Sequence, residues 1–319
     1  MIYWLIPYLV AYNASDAGNW RYGPEHVFKA EVRSTGMTHN FFEMHSNVDM
    51  YLACRPMNSS LIQCRVESAT IDNWSIASDG TSSLESHSPA PFGHIGNVVF
   101  QVEFNEEGVS KLWLTNAKGR YRHDMLRAIF DTVHWGIDMS GKKYASYDRV
   151  EKSMIGSCET TFDIGRKTSS VEEIKVEKVI DGYSFDVPAF EGRTRNEPIV
   201  IEKNRNVNRC SEKTLYLFAG TDDEEFDDPG LKRITQVTSS RSRLYLGRNS
   251  FSGYTRNIGT LELRSTRANA MRSFVTADGS IHLSLETIRP AKEDIRQTGD
   301  SANAETDIAT ETRWPKEDV

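Results

Sequence analysis

The segment VDMYLACRPMNSSLIQCRV, residues 48–66, has a side-chain period of two on both sides of a turn. Apolar residues occupy every second position from Val48 to Cys54, and they do so again from Ile62 to Val66. Successive side chains of a β-strand point to opposite faces, so this alternation buries one face and leaves the other wetter. Residues 56–60 between the two runs are turn formers. The segment therefore predicts a β-hairpin with one buried face.

Similar short runs continue along the chain and are separated by glycine-containing turns. Many short strands at this spacing are typical of a barrel or a sandwich, so we predict a mainly β protein with an antiparallel β-barrel. The runs lie at residues 97–104, 110–115, 160–164, 174–180, 198–202, 214–218, 233–237, 244–246, 258–263 and 280–287.

One segment, residues 121–137, has a helical period instead. Leu126, Ile129, Phe130, Val133 and Ile137 follow the spacing of one helix face, and further apolar residues lie off that stripe. A helix that is apolar on more than one side must be surrounded by other elements. We therefore predict an amphipathic helix at the centre of the barrel. His123 and His134, which lie on or near it, are expected to be surface or packed residues rather than catalytic ones.

Length, charge and hydropathy limit the class of protein. The chain has 319 residues and a formal net charge of −7. This charge argues against a general nucleic-acid coat, so no nucleic-acid partner is expected. After residue 12 no apolar run approaches the ~18 residues that span a bilayer, so we do not expect an integral membrane protein. We predict one barrel domain at residues 18–290.

The two ends of the chain differ from this domain. Residues 2–11, IYWLIPYLVA, followed by Ser15-Asp16-Ala17, resemble a secretory signal peptide at residues 1–17, although a buried first strand is the alternative. A signal peptide predicts a secreted, extracellular protein. Asn58 and Asn73, which lie in Asn-x-Ser sequons, are then predicted glycosylation sites. Residues 291–319 have few large apolar side chains, which predicts a disordered polar tail.

The four cysteines, Cys54, Cys64, Cys158 and Cys210, agree with secretion. Four cysteines allow three disulfide pairings. Cys54 and Cys64 lie symmetrically about the predicted turn and could face each other across the hairpin, which would leave Cys158 to pair with Cys210.

No catalytic or metal-binding motif is present in the sequence, so we expect no enzyme, no metal and no cofactor, with lipid bound only in a larger assembly. The stretch HNFFEMH places His39 and His45 too far apart on a strand for one metal ion. The acidic residues between Asp222 and Asp228 lack the pattern of a calcium-binding loop and are expected to be solvated.

The most unusual charge distribution lies at residues 231–272. Nine basic residues meet one acidic residue, Glu262, which makes this stretch +8 within a chain of −7. Such a basic face could bind carboxylates or phosphates; alternatively, carboxylates elsewhere in the fold neutralise it. The nine residues are Lys232, Arg233, Arg241, Arg243, Arg248, Arg256, Arg264, Arg267 and Arg272.

Three segments of the chain carry a pattern shared with a known family. They are Asn19-Trp20 with Tyr22 leading into residues 26–32, YDRVEKS at 147–153 followed by GSCETTFDI at 156–164, and VNRC at 207–210. Over roughly residues 19–288 they resemble the vitellogenin N-terminal domain of the large lipid transfer proteins: the first resembles its first strand and the second its most specific motif. The third resembles the position of the second family cysteine and supports a Cys158–Cys210 disulfide.

The resemblance implies a secreted β-barrel around a helix, docking on receptors of the low-density-lipoprotein receptor family and linked to lipid transport and yolk precursors. Those receptors present acidic modules, for which the basic stretch is a suitable counterpart. We expect the chain to lack the family's lipid-enclosing helical and sheet regions, so its leading function is partner binding. The alternatives are lipid transport within a longer carrier or complex, and recognition of anionic microbial or cell surfaces as a humoral regulator.

Overall fold

The computed structural model describes residues 22–38, 43–88, 98–114, 120–139, 143–165, 198–213, 231–247, 250–265, 273–292 and 304–307. This part of the chain forms thirteen β-strands and one α-helix. They are β1 (Pro24–Thr38), β2 (Glu43–Pro56), β3 (Leu61–Ile76), β4 (Ser82–Ser88), β5 (Val99–Asn105), β6 (Gly108–Leu114), α1 (Arg120–Asp131), β7 (Ser146–Ser153), β8 (Gly156–Gly165), β9 (Ile199–Lys213), β10 (Leu231–Leu246), β11 (Phe251–Ser265), β12 (Ser273–Pro290) and β13 (Ala304–Asp307).

Some predicted elements lie outside the described residues. These are the signal peptide at residues 1–17 and the runs at 174–180 and 214–218. Of the predicted tail, the structure describes Ala291, Lys292 and β13, which pairs with β6. Among the residues described, no helix is long and apolar enough to cross a membrane.

The strands form one antiparallel sheet. Their order is β13-β6-β5-β3-β2-β1-β12-β11-β10-β9-β8-β7, with β4 beside β3. A closed barrel would require the outermost strands of this order to pair with each other, and in the described strands β7 and β13 do not. The predicted barrel is therefore wrong in its closure: the sheet is open. Exposed charged residues on β7, such as Arg149 and Lys152, suit an edge strand, where charges discourage unwanted pairing.

The predicted hairpin is confirmed as β2 and β3. Their register places Cys54 directly opposite Cys64, and the two form a disulfide. The turn is closed by a hydrogen bond from the Met57 N–H to the Leu61 carbonyl oxygen, 2.8 Å apart. Cys158 and Cys210 form the second disulfide between β8 and β9.

One face of the sheet is apolar and is covered by α1. Side chains such as Leu52 and Leu283 point to this face and are buried with those of the helix. The helix lies against β6 and β12. The ring of Phe130 contacts that of Phe100 edge to face, with centroids 5.6 Å apart. The predicted stripe therefore joins the helix to the sheet.

The helix is shorter than the period indicated, because it ends at Asp131 rather than at Ile137. The next three N–H groups bond carbonyl oxygens three residues back, at 3.1–3.2 Å, which tightens the chain into a turn. Beyond it, Trp135 and Ile137 remain buried at the sheet. The apolar side chains therefore stay buried after the helix has ended at Asp131. Gly253 permits this approach, since a Cβ atom there would lie 2.5 Å from the Thr132 carbonyl oxygen.

A buried ion cluster lies beside the end of α1, and no apolar pattern revealed it. The Glu151 side chain on β7 is fully buried. Its carboxylate accepts hydrogen bonds from Lys203 Nζ at 2.6 Å and from Arg205 Nε at 2.7 Å and Nη2 at 3.0 Å. Lys203 Nζ also donates to the His134 carbonyl oxygen at 2.8 Å. The cluster therefore ties β7 and β9 to the turn that follows the helix.

Burial and charge act in opposite directions on the pKa values of this cluster. Burial, the largest effect, would raise the pKa of Glu151, but Arg205 and Lys203 together outweigh it and hold that pKa at about 2. Burial, helped by Lys203, lowers the pKa of His134 to about 4. Burial also lowers the pKa of Lys203, whose ammonium is thus the more weakly stabilised cation. We therefore assign the stabilisation of the Glu151 carboxylate mainly to Arg205.

Candidate functional site

The second face of the sheet is polar. It carries the three residues of the predicted basic stretch 231–272 whose side chains the structure describes: Arg241, Arg243 and Arg256. Lys232 and Arg233 lie on β10 and Arg264 on β11, but their side chains are outside the described set, and Arg248, Arg267 and Arg272 lie outside the described residues altogether.

Strand register arranges this polar face into two neighbouring cross-strand rows. The arginine row, running from β9 through β12 to β2, comprises Asn204, Arg241, Arg256, Ser280, Arg33 and Asn47. The mixed row, two residues along each strand, comprises Asp163, Glu202, Arg243, Tyr254, His282, Glu31 and Asp49.

Two of the three arginines in the arginine row are already paired with carboxylates. Arg256 donates from Nε and Nη2 to both oxygens of Asp278, at 3.0 and 2.6 Å. Arg33 Nη2 donates to Asp49 at 2.8 Å and to Glu31 at 3.2 Å. Of the nine basic residues of the stretch 231–272, Arg256 therefore fits the alternative that carboxylates elsewhere in the fold neutralise them.

Arg241 is the exception in this row. Its side chain is exposed and has neither a hydrogen bond nor an ion pair within the described part of the chain. It lies directly opposite Arg256 on the neighbouring strand. Because Asp278 already neutralises Arg256, Arg241 is the exposed positive charge of this row.

Arg243 shares the face with Arg241, as their spacing predicts, but it is 93% buried, with 7% exposed. Its Nε and Nη2 atoms have no hydrogen-bond partner among the residues described, and Nε lies 3.9 Å from Glu202 Oε1. Arg55 and Arg289 direct the same edge of the guanidinium to Glu25. That edge is the one that binds carboxylates with two hydrogen bonds. In Arg243 the Nε/Nη2 edge forms no hydrogen bond with a described residue.

Glu25 anchors an ion cluster at the end of the polar face nearest the chain start. Its side chain is fully buried and receives Arg55 and Arg289, with Arg65 Nη2 at 3.4 Å. Burial would raise the pKa of Glu25, but these arginines outweigh it and lower that pKa. The arginines at this end of the polar face therefore already form ion pairs with an internal carboxylate.

His45, one of the two histidines considered for a metal site, makes structural contacts within the sheet. His45 bonds Thr35 Oγ1 through Nδ1 and Glu43 through Nε2, each at 3.1 Å, and stacks on Trp74 with ring centroids 4.9 Å apart. His39 lies outside the described residues, as does the acidic stretch from Asp222 to Asp228. Among the residues that are described, no group of three or more His, Cys, Asp or Glu side chains is placed to hold a metal ion.

The predicted glycosylation sites differ in their surroundings. Asn58 is exposed in the β2–β3 turn, where its side-chain oxygen accepts a hydrogen bond from the Ser60 N–H at 2.8 Å. Asn73 is half-buried on β3, between Ser46 of β2 and Ser86 of β4. Glycosylation stays a prediction for both.

Comparison with known proteins agrees with this architecture. The vitellogenin N-terminal domain family matches residues 42–257, which is more than half of the chain. The chain belongs to this family. The vitellogenin N-terminal domain match includes both disulfides, α1 and all three arginines of β10. No curated protein matches the chain.

A solved structure is similar in fold. A lipovitellin structure, which describes lipid–protein interactions, superposes with a TM-score of 0.52 at 8% sequence identity. The superposition covers 86% of this chain and 26% of the lipovitellin chain. This vitellogenin-type domain thus corresponds in fold to about a quarter of that protein.

Proposed function

We propose that this vitellogenin-type domain is a secreted, non-enzymatic module that binds an acidic partner of the low-density-lipoprotein receptor family through the polar face of its sheet. The observation that carries the proposal is Arg241, an exposed cation without a counter-ion in the described structure. Both disulfides and the family membership support an extracellular location.

The chemistry of the neighbouring residues supports an acidic ligand. Arg243 lies two residues from Arg241 on the same face and has an unused Nε/Nη2 edge. A carboxylate that reached Arg241 would meet this second guanidinium close by, provided that the Arg243 side chain moved outward. Acidic receptor modules offer several carboxylates at short spacing, and electrostatic attraction would accelerate their encounter with this face.

The proposal is tested by measuring the binding of the full chain to a soluble tandem of acidic, calcium-binding repeats from such a receptor. Arg241→Glu is expected to weaken binding at least about tenfold, because attraction becomes repulsion at the contact. Lys292→Glu is the matched control, since this exposed cation lies just after the end of β12 at Pro290, twelve positions along the chain from Ser280 of the arginine row. Equal affinity of both variants and the natural chain would refute the assignment.

Salt dependence and vesicles distinguish receptor binding from recognition of anionic surfaces. Binding to the receptor repeats should weaken as salt concentration rises, because exposed charges are screened. Phosphatidylserine vesicles should bind the chain more weakly than the repeats do. A preference for the vesicles, lost in Arg241→Glu, would replace receptor binding with the humoral surface-recognition function.

Lipid transport is the second candidate, and the similarity to lipovitellin favours it. The apolar face of the described sheet is covered by α1 and by the turn after it, with Trp135 buried there. We propose that lipid, where present, is bound by a larger assembly that includes this domain. Native mass measured before and after delipidation tests this: a lipid-laden particle supports transport, and a lipid-free chain of its own mass contradicts it.

A further inference from the structure

The turn end of the β1–β2 hairpin carries an exposed apolar residue on each of its two faces. Met37 of β1 is 40% exposed and Met44 of β2 is 45% exposed. Register places Met44 directly opposite Gly36, the residue before Met37. Neighbouring residues of a strand point to opposite faces, so the two methionines lie on opposite faces of the hairpin.

This end of the hairpin is held in place by contacts directly behind the methionines. Met44 Cε lies 3.7 Å from the position that a Cβ atom would take on Gly36, so its side chain packs across β1. His45, the next residue, bonds Thr35 and stacks on Trp74 of β3. The methionines therefore project from an ordered support.

Trp74 suits a boundary between water and lipid. Its side chain is half-buried, and tryptophan combines an apolar ring with a polar N–H, a combination enriched at membrane interfaces. Because Trp74 lies opposite His45, one residue behind Met44, it is set back from Met44 by ~3.3 Å along the strand. Amphipathic elements enter the boundary of headgroups and acyl chains by ~5–10 Å, so one boundary can hold both side chains.

Three cations of the basic stretch lie on strands that reach the same end of the sheet. Strand register brings the last residues of β1 and β11 together with the first residues of β10 and β12. On β10 and β11 these include Lys232, directly opposite Arg264, and the adjacent Arg233. Glu262 is the one acidic residue on these two strand ends. Anionic lipid headgroups attract such a cluster of cations.

We propose that this end of the sheet docks on a phospholipid surface that contains anionic lipids. Met37, Met44 and Trp74 enter the boundary of headgroups and acyl chains, and the cations of β10 and β11 attract the headgroups. Two methionines bury little apolar area, so binding is reversible and needs both contributions. This docking surface is separate from Arg241 on the polar face and does not rest on the proposed receptor binding.

The distribution of the methionines favours lipid over a protein partner. Single exposed apolar side chains are ordinary on soluble proteins and need no ligand. A protein partner with a flat surface would cover one face of the hairpin and leave the methionine of the other face in water. A lipid boundary surrounds the hairpin end and covers both methionines at once. The cations at the same end of the sheet favour anionic lipids within that boundary.

Flotation of the full chain with vesicles tests the proposal. One set of vesicles contains equal parts of phosphatidylserine and phosphatidylcholine, and the other contains phosphatidylcholine alone. The double variant Met37→Gln with Met44→Gln keeps the side-chain length and removes the apolar character. Tyr51→Gln, at an exposed side chain further along β2, is its matched control. Lys232→Glu reverses a cation at the docking end, and Lys292→Glu, an exposed cation beyond the other end of β12, is its control.

The natural chain should float with the mixed vesicles and float less with phosphatidylcholine alone. The double methionine variant should bind at least about tenfold more weakly, because it loses the apolar contribution of both side chains. Lys232→Glu should bind at least about fivefold more weakly. Both controls and Arg241→Glu should bind like the natural chain, and circular dichroism should show that every variant is folded.

Three results would overturn the proposal: a natural chain that floats with neither set of vesicles, a double methionine variant that floats as well as the natural chain, or a loss of flotation confined to Arg241→Glu. The double methionine variant should still bind the acidic receptor repeats, because Arg241 is unchanged in it. Measuring that binding on the same samples separates a failure of this docking surface from a failure of the proposed function.

Discussion

Replacing the buried Glu151 by glutamine tests whether the ion cluster holds the helix end on the sheet. Glutamine has nearly the same shape but removes the negative charge between Lys203 and Arg205. Both cations would remain buried, and the nearest remaining carboxylate oxygen to Arg205 Nη2 belongs to Asp131, 3.9 Å away. Buried cations without an anionic partner are costly. We therefore expect Glu151→Gln to destabilise the fold strongly.

Two routes give the same magnitude. Removing one partner of a buried ion pair costs about 3–5 kcal/mol. Independently, lowering the Glu151 pKa from the ordinary 4.5 to about 2 corresponds to roughly 3 kcal/mol of folding stability. Because the folded-state pKa is the lower one, this contribution is complete above the ordinary pKa and is lost as pH falls from 4.5 to about 2.

The assay is urea unfolding followed by circular dichroism, at neutral pH and in steps through the acid range. Glu159→Gln is the control: its carboxylate forms an exposed ion pair with Arg209 at 2.9 Å, so the free energy of unfolding should hardly change. The deficit of Glu151→Gln should shrink as acid protonates Glu151 in the natural chain. A loss below about 1 kcal/mol at neutral pH, or a deficit independent of pH, would refute the role assigned to the cluster.

Three further predictions concern the same packing and the disulfides. His134→Gln should flatten the pH dependence of the free energy of unfolding between about pH 6.5 and 4. The natural chain loses stability as pH falls through this range, because His134 has the higher pKa in the unfolded state, which therefore binds the proton first. Urea unfolding midpoints measured across the range check this. Gly136→Ala should lower the melting temperature, since φ is +74° and a Cβ atom would lie 2.6 Å from Glu151 Oε1; a thermal midpoint equal to that of the natural chain would contradict the contact. Removing the Cys158–Cys210 disulfide, which closes a loop of 52 residues, should lower the free energy of unfolding by about 4 kcal/mol. Removing Cys54–Cys64, which closes 10 residues, should lower it by about 2.7 kcal/mol. Equal losses in urea unfolding would argue against the chain-entropy account.

Local patterns were sufficient wherever one face of an element is apolar. The period of two around the turn at residues 56–60 predicted the β2–β3 hairpin and the Cys54–Cys64 pair. The period of 3.6 predicted α1, although it overran the end by six residues because Trp135 and Ile137 stay buried after the helix ends. Apolar spacing reports burial, and it does not report which backbone hydrogen bonds are made.

The pattern failed where the buried face is charged. On β9 the inward positions include Lys203 and Arg205, so the apolar run stopped at residue 202 while the strand continues to Lys213. These residues are tolerated inside only because Glu151 reaches them from β7, more than fifty positions away in the chain. The sequence around Lys203 and Arg205 therefore does not indicate that Glu151 is their partner.

The sequence by itself determined the β class, the helix, the cysteine pairing within the hairpin and the excess of basic residues in the stretch 231–272. Only the tertiary structure decided that the described sheet stays open and which of those cations are neutralised. Strand register places Asp278 two residues from the position opposite Arg256, where the two side chains bond, and among the described residues it sets no carboxylate beside Arg241. The physical reason is that composition fixes the number of charges, whereas their distances are fixed by pairing between strands that are remote in the chain.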